Sequence, residues 1–201
     1  LQLIFSPASP FVRKVRVTLI ETNQADDVEL VRVATTALNT APEAAAANPL
    51  GKIPALVRPD GPAIYDSRVI CRYLTARAGA DLYPEDRLWD VLTLEATGDG
   101  ILESAVSMVY EKRLRPAEMV FDEWIDSQWG KVSGALDVLN TRWMSHLYGP
   151  FDMGQIAIGC ALGYLDFRHD ERDWRYGRDA LAAWHKAFSE RKSIMETIPT
   201  D

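Results

Sequence analysis

A serine, an X-Pro turn and an Asp-Ser pair are the groups of this 201-residue chain whose types and spacing best suit binding chemistry. Ser9 precedes Pro10, and proline fits the first position of a helix, so the Ser9 hydroxyl is expected to cap a helix N-terminus whose partial positive charge favours an anion. Asp66 and Ser67 stand ahead of a second amphipathic run, where free N–H groups suit a carboxylate. Between them lies Asn48-Pro49-Leu50-Gly51-Lys52-Ile53-Pro54-Ala55-Leu56, a turn feeding a short strand. An X-Pro bond in such a turn is where a cis peptide costs least, and a cis Ile53-Pro54 bond would turn the main chain of Ile53 outward as an edge for an extended peptide. Ser6 is a second hydroxyl in the first loop, but it precedes the cap and lacks the helix field.

The elements that must position these groups follow from periodicity. Residues 1–5 are an apolar run that reads as a buried strand, and Val12, Val15 and Leu19 recur at helical spacing, with Arg13, Lys14 and Arg16 on the other side. Residues 28–33 read as a second strand, which makes a strand-helix-strand unit with parallel pairing. A weak helix is expected within 35–47. Residues 55–58 and 63–65 flank Pro59-Asp60-Gly61-Pro62 and read as a hairpin. Val69, Ile70, Tyr73 and Leu74 then form the stripe of a helix that stops near Gly79. The expectation is a mixed-sheet domain over 1–79.

Beyond it the strand alternation disappears. Residues 88–114 and 117–147 read as long amphipathic helices separated by Pro116, and Asp152 with Gln155 has the spacing of a capping box. The run 156–165 is apolar on nearly every side, so it reads as the buried centre of an all-helical domain over 87–201, followed by a charged loop at 167–178 and a last helix. The fold class is therefore α+β, a mixed sheet followed by an all-α domain.

Composition narrows the function. Lysine and arginine total 22 against 29 acids, and a net charge of −7 argues against nucleic acid or an anionic membrane as partner. Cys71 and Cys160 lie far apart in apolar helical runs and suit neither a disulfide framework nor a zinc site, and with no leader ahead of the first strand a reducing cytoplasm is the expected compartment. His146, His169 and His185 lack metal-ligand spacing and read as surface or packing residues, so no metal is expected. The first loop, Ser6-Pro7-Ala8-Ser9, carries hydroxyls and no cysteine, and oxygen cannot exchange with a disulfide.

With the sheet wound as expected, Ser9, Ile53 and Ser67 border one cleft, and a ligand with a carboxylate, a peptide middle and a thiol would match all three. Glutathione is such a molecule. The run Ser-Pro-Phe-Val-Arg-Lys-Val from Ser9, the turn from Asn48 to Leu56, Asp66-Ser67 ahead of a helix, and the capped run Ile-Ala-Ile-Gly-Cys-Ala-Leu-Gly-Tyr-Leu-Asp from Ile156 together resemble the glutathione S-transferase family across the whole chain. The resemblance implies a thioredoxin-like first domain, a homodimer and glutathione as co-substrate. It implies that Ser9, with Phe11 beside it, holds the thiol, that Ile53 pairs with the cysteinyl backbone, that Lys52 approaches the glycyl carboxylate, and that Asp66 and Ser67 hold the γ-glutamyl end. The expected reaction is conjugation of glutathione to a small apolar electrophile in detoxification. Met108 and Tyr110 are candidates for the electrophile's apolar wall, and Asp99 resembles an acid that some members turn toward the glutathione amine. The alternative is a glutathione-binding or protein-interaction module on the same scaffold without catalysis.

Overall fold

The computed structural model describes residues 1–201, which divide into two compact units: Leu1–Tyr83 with Lys192–Asp201, and Pro84–Arg191. In the first, β1 (Gln2–Phe5), α1 (Pro10–Glu21) and β2 (Glu29–Arg32) form the parallel strand-helix-strand unit, Leu3 opposite Leu30. α2 (Pro42–Ala47) is followed by β3 (Ala55–Arg58), which runs antiparallel to β1, and by β4 (Gly61–Ile64), which closes the hairpin; the strand order is β2-β1-β3-β4. α3 (Ser67–Ala78) ends at Gly79. Because side chains alternate along a strand, Ile4 and Ala55 face one side, where they pack with Val33, Ala41 and Ala44 under α2. Leu3 and Leu56 face the other, the side on which α1 and α3 pack against each other.

The helical unit is organised by α4 (Leu88–Leu114), α5 (Asp122–Arg142), the short α6 (Met144–Leu147), α7 (Met153–Arg168) and α8 (Asp179–Phe188). The dominant packing is α4 on α7. At their crossing a Cβ on Gly98 would lie 2.8 Å from the backbone carbon of Ala157, so glycine is what lets the two backbones approach. Twelve of the sixteen α7 residues, from Met153 to Leu165, are buried, in keeping with a run that is apolar all round. No helix is long and apolar enough to cross a membrane.

Several local expectations change. The segment 117–147 is not one helix, because the chain breaks at Trp143 between α5 and α6. Only Pro42–Ala47 of the 35–47 segment is helical, since Pro42 starts a helix at N1 and leaves the residues before it extended. α7 continues through Arg168, and the loop after it is anchored by the buried Trp174 and by Arg178, which bonds to Asp137 at 2.7 Å. Val69 faces solvent, while Cys71 and Thr75 join Ile70 and Leu74 on the buried face of α3.

Arg13 and Lys14 are buried rather than on a solvated face of α1. For Arg13 the reason is the last helix, α9 (Lys192–Met195), which returns to the first unit instead of extending the helical domain to 201. The Arg13 guanidinium donates to the Ile194 carbonyl at 3.2 Å and to the Thr197 hydroxyl, and Arg16 donates to the Glu196 carbonyl at 3.3 Å. These cations donate to carbonyls at and just beyond the C-terminal end of that helix, where basic side chains are favoured.

His169 and His185 are buried packing residues. His169 Nε2 lies 3.0 Å from the Ala105 carbonyl, which can only accept, so the proton is on Nε2. Burial, the largest influence, holds the imidazole pKa below its ordinary 6.5, although the bond to Ala105 opposes it. Below pH 6.5 the unfolded chain therefore holds more protons on this ring than the folded one. The stability contribution is complete above that pH and is lost as the pH falls. We expect the unfolding free energy to decrease as the pH falls below 6.5, with a slope that His169→Gln reduces, as read by urea titration at several pH values.

Candidate functional site

Sheet geometry brings the candidate residues to one edge. β1 ends at Phe5 and β3, antiparallel to it, begins at Ala55, with Ile4 opposite Ala55. β4 is antiparallel to β3, with Ile64 opposite Leu56, so it ends where β3 begins. The loop to Ser9, the turn before Ala55 and the connection to Ser67 therefore all emerge at the same end of the sheet.

Ser9 is the N-cap of α1, with its Oγ accepting from the Val12 N–H at 3.4 Å and its own N–H donating to the Ser6 carbonyl at 3.1 Å. The Ser9 hydroxyl proton has no acceptor within the protein, so it is free to donate. Phe11 is half-buried in the first turn of the same helix.

The Ile53–Pro54 peptide is cis, and so is Tyr65–Asp66. The Ile53 side chain packs against the Ile4 and Ala55 cluster, while neither its N–H nor its C=O enters a main-chain hydrogen bond. Free main-chain groups beside a strand are what an added extended peptide would pair with.

Asn48 shapes the turn, a role the sequence reading did not assign to it. Its side chain is buried, donates to the Lys52 carbonyl at 2.9 Å and accepts from the Leu50 N–H at 2.9 Å. The available signal was an Asn heading an Asn-Pro turn, where the side chain can mimic the backbone. Gly51 has φ +64°, and a Cβ there would meet the Thr40 methyl at 2.7 Å. Asn48→Ala should lose both bonds, lowering stability by about 2 kcal/mol and loosening the segment that carries Lys52 and Ile53. Urea unfolding measures the first effect and amide exchange at residues 50–53 the second. Lys52 is exposed and makes no ion pair in the structure.

Asp66 is the N-cap of α3. Its Oδ1 accepts from the Arg68 N–H at 3.0 Å, and its Oδ2 from the Arg68 guanidinium at 2.8 Å. Partial burial opposes ionisation of this carboxyl. The Arg68 side-chain and backbone hydrogen bonds, with the charges of Arg68 and Lys14, outweigh it and hold the pKa below the ordinary carboxylate value. Asp66 is thus ionised at neutral pH and suited to an ammonium group. Ser67 is 2% exposed, and its hydroxyl bonds to no protein group. Because no enclosed side-chain oxygen or nitrogen lacks a partner, that oxygen reaches the surface at the helix start.

The edge thus offers a donor hydroxyl at one helix N-terminus, unpaired main chain in the middle, and an ionised carboxylate with a hydroxyl at a second N-terminus. Asp99, Met108 and Tyr110 belong to α4 of the other unit; Asp99 and Met108 are buried and Tyr110 is exposed. No cluster of His, Cys, Asp or Glu that could hold a metal ion occurs.

Comparison with known proteins agrees with this geometry. Residues 8–77 match the family model described as Glutathione S-transferase, N-terminal domain, and residues 122–187 match Glutathione S-transferase, C-terminal domain. The chain is 31% identical to the uncharacterized GST-like protein YibF of Escherichia coli K12 over 204 residues, covering 99% of this chain and 98% of that protein. A glutathione transferase family member from Pseudomonas fluorescens Pf-5, solved with bound glutathione, is 42% identical and superposes with a TM-score of 0.96 over 100% of this chain and 99% of that one. The same family member solved with S-(propanoic acid)-glutathione gives a TM-score of 0.92 over the full length of both chains. With sheet topology, family models over both units and full-length relatives all in agreement, the chain belongs to the glutathione S-transferase family.

Proposed function

We propose that the protein is a glutathione transferase in which Ser9 donates a hydrogen bond to the glutathione thiolate. The thiolate attacks an electrophilic carbon of a small apolar substrate, forming a carbon–sulfur bond, and either a leaving group departs with its electron pair or an adjacent double bond takes up a proton. Ile53 pairs with the cysteinyl main chain, Asp66 receives the γ-glutamyl ammonium, and the Ser67 hydroxyl and the α3 N-terminus receive its carboxylate. Lys52 faces the glycyl carboxylate, and Phe11 flanks the thiol. The reading extends to a cytoplasmic homodimer that works in detoxification.

The observation that carries this reading is chemical complementarity along one sheet edge. Ser9 has a hydroxyl proton without an acceptor, Ile53 has unpaired main chain, and Asp66 is held ionised beside an unpartnered Ser67 hydroxyl. Glutathione presents a thiol, a peptide and an amino-acid head in that order. The Pseudomonas relative that holds S-(propanoic acid)-glutathione favours conjugation over binding alone, because its ligand carries a substituent on sulfur.

Titration calorimetry tests the binding half. Glutathione should bind with a dissociation constant below about 1 mM, and Asp66→Ala should weaken it about tenfold or more through loss of a charge-assisted bond. Absence of heat at about 10 mM glutathione would refute the assignment. Binding without turnover across halides, epoxides, isothiocyanates and peroxides would instead favour a non-catalytic module.

A further inference from the structure

A second polar cluster lies wholly within the helical unit, around an open cavity of about 490 Å³. Ala182, Ala183, Lys186 and Ser189 line it from the α8 side, Arg175 from the preceding loop and Asp166 from α7, with the buried His185 at its floor.

Charge accounting gives the cavity a sign. Asp166 accepts from both terminal nitrogens of Arg175, one at 2.7 Å, and from the Trp174 indole at 2.7 Å. Although burial works against its ionisation, these bonds hold the carboxyl below its ordinary value, so Asp166 and Arg175 neutralise each other. Arg175 also approaches His185 Nδ1 at 3.4 Å. Two of the five guanidinium N–H groups are committed to Asp166, which leaves others for a ligand. Lys186 is exposed and has no acid partner, an uncompensated cation in a chain of net charge −7. With Asp166 paired to Arg175, Lys186 leaves the lining with an excess of positive charge next to two alanine methyl groups.

The cluster also places Ser189 Oγ 3.4 Å from His185 Nε2 and Asp166 Oδ2 3.8 Å from His185 Nδ1, the order of a hydrolytic triad. Its hydrogen bonds run the wrong way for one. The Ser189 hydroxyl donates to the His185 carbonyl at 2.7 Å, and Nδ1 faces Arg175 more closely than Asp166.

We infer that this cavity binds a small organic monocarboxylate. The carboxylate is received by Lys186 and the remaining N–H groups of Arg175, and a short hydrocarbon body lies against Ala182 and Ala183. Inorganic phosphate has no hydrocarbon body to lie against Ala182 and Ala183, and its further oxygens would stand beside the Asp166 carboxylate.

The test is a two-dimensional amide NMR titration of the full chain with butanoate, acetate and inorganic phosphate at constant ionic strength, following residues 182–189. Butanoate should give saturable shifts with a millimolar dissociation constant, acetate weaker ones for want of the apolar contact, and phosphate none. Lys186→Ala should weaken butanoate about tenfold and Lys186→Arg should restore it, a loss of the size expected for one charged hydrogen bond. Ala183→Glu, which sets a second carboxylate on an exposed part of the wall, should abolish binding. Shifts that stay linear with concentration, equal responses to all three anions, or indifference to Lys186→Ala would each overturn the inference.

Discussion

Replacing Ser9 with alanine should lower kcat/KM for conjugation by about 10- to 150-fold, while glutathione affinity stays within a few-fold. The estimate comes from the interaction removed: a hydroxyl donating to a charged acceptor is worth about 1.5–3 kcal/mol, and each 1.36 kcal/mol is a factor of ten. The same argument sets the pH dependence. Depressing a thiol pKa by two units means favouring the thiolate by about 2.7 kcal/mol, which the hydroxyl and the α1 N-terminus, at about 0.3–1 kcal/mol, supply together. Without the hydroxyl, the rising limb of the pH–rate profile should move to higher pH by about one to two units.

Ser9 also caps α1, and the two roles are separable. Ser9→Ala removes the cap as well as the donor and should cost about 1 kcal/mol of stability, whereas Ser9→Gly, a tolerated cap, should cost only a few tenths. If both variants lose turnover to the same extent, the loss is chemical. A pH profile unmoved in both, with turnover near that of the parent protein, would mean that Ser9 is only a cap.

Asp152→Ala should produce the largest loss of stability, about 3–5 kcal/mol, equivalent to roughly 10–15 °C in Tm for a chain of this size. Asp152 is fully buried at the start of α7. Its Oδ1 accepts from the N–H groups of Gly154 at 2.9 Å and Gln155 at 3.3 Å, and its Oδ2 meets Arg87 at 3.3 Å and His146 at 2.9 Å. The Gln155 side chain returns the bond by accepting from the Asp152 N–H at 3.2 Å, completing the capping box. A lost cap costs about 1 kcal/mol, and the remainder comes from leaving Arg87 and His146 without their carboxylate. Asp152→Asn keeps the cap and removes the charge, so it should fall between the parent and the alanine variant in urea unfolding. A loss below about 1 kcal/mol for alanine would mean that the cluster around Oδ2 contributes nothing beyond the cap.

What the sequence determined by itself was whatever rests on near neighbours in the chain. The caps at Ser9, Asp66 and Asp152 each bond to an N–H two or three residues on, so residue type and spacing suffice to find them. The hairpin after β3, the start and stop of α3, and the all-round apolar character of α7 are legible for the same reason. Tertiary structure alone decided what depends on distant partners. Helical periodicity assigns cations to the solvated side, yet Arg13 is buried because the Ile194 carbonyl and the Thr197 hydroxyl, 181 and 184 positions away, return to accept its donors. His169 finds its acceptor on Ala105, and Gly98 is needed only because Ala157 crosses it. The cis Tyr65–Asp66 peptide carries no periodic signal at all. Local rules name the groups at the sheet edge, but strand register brings them together, because pairing Ile4 with Ala55 and Leu56 with Ile64 is a long-range choice that no short window of residues contains.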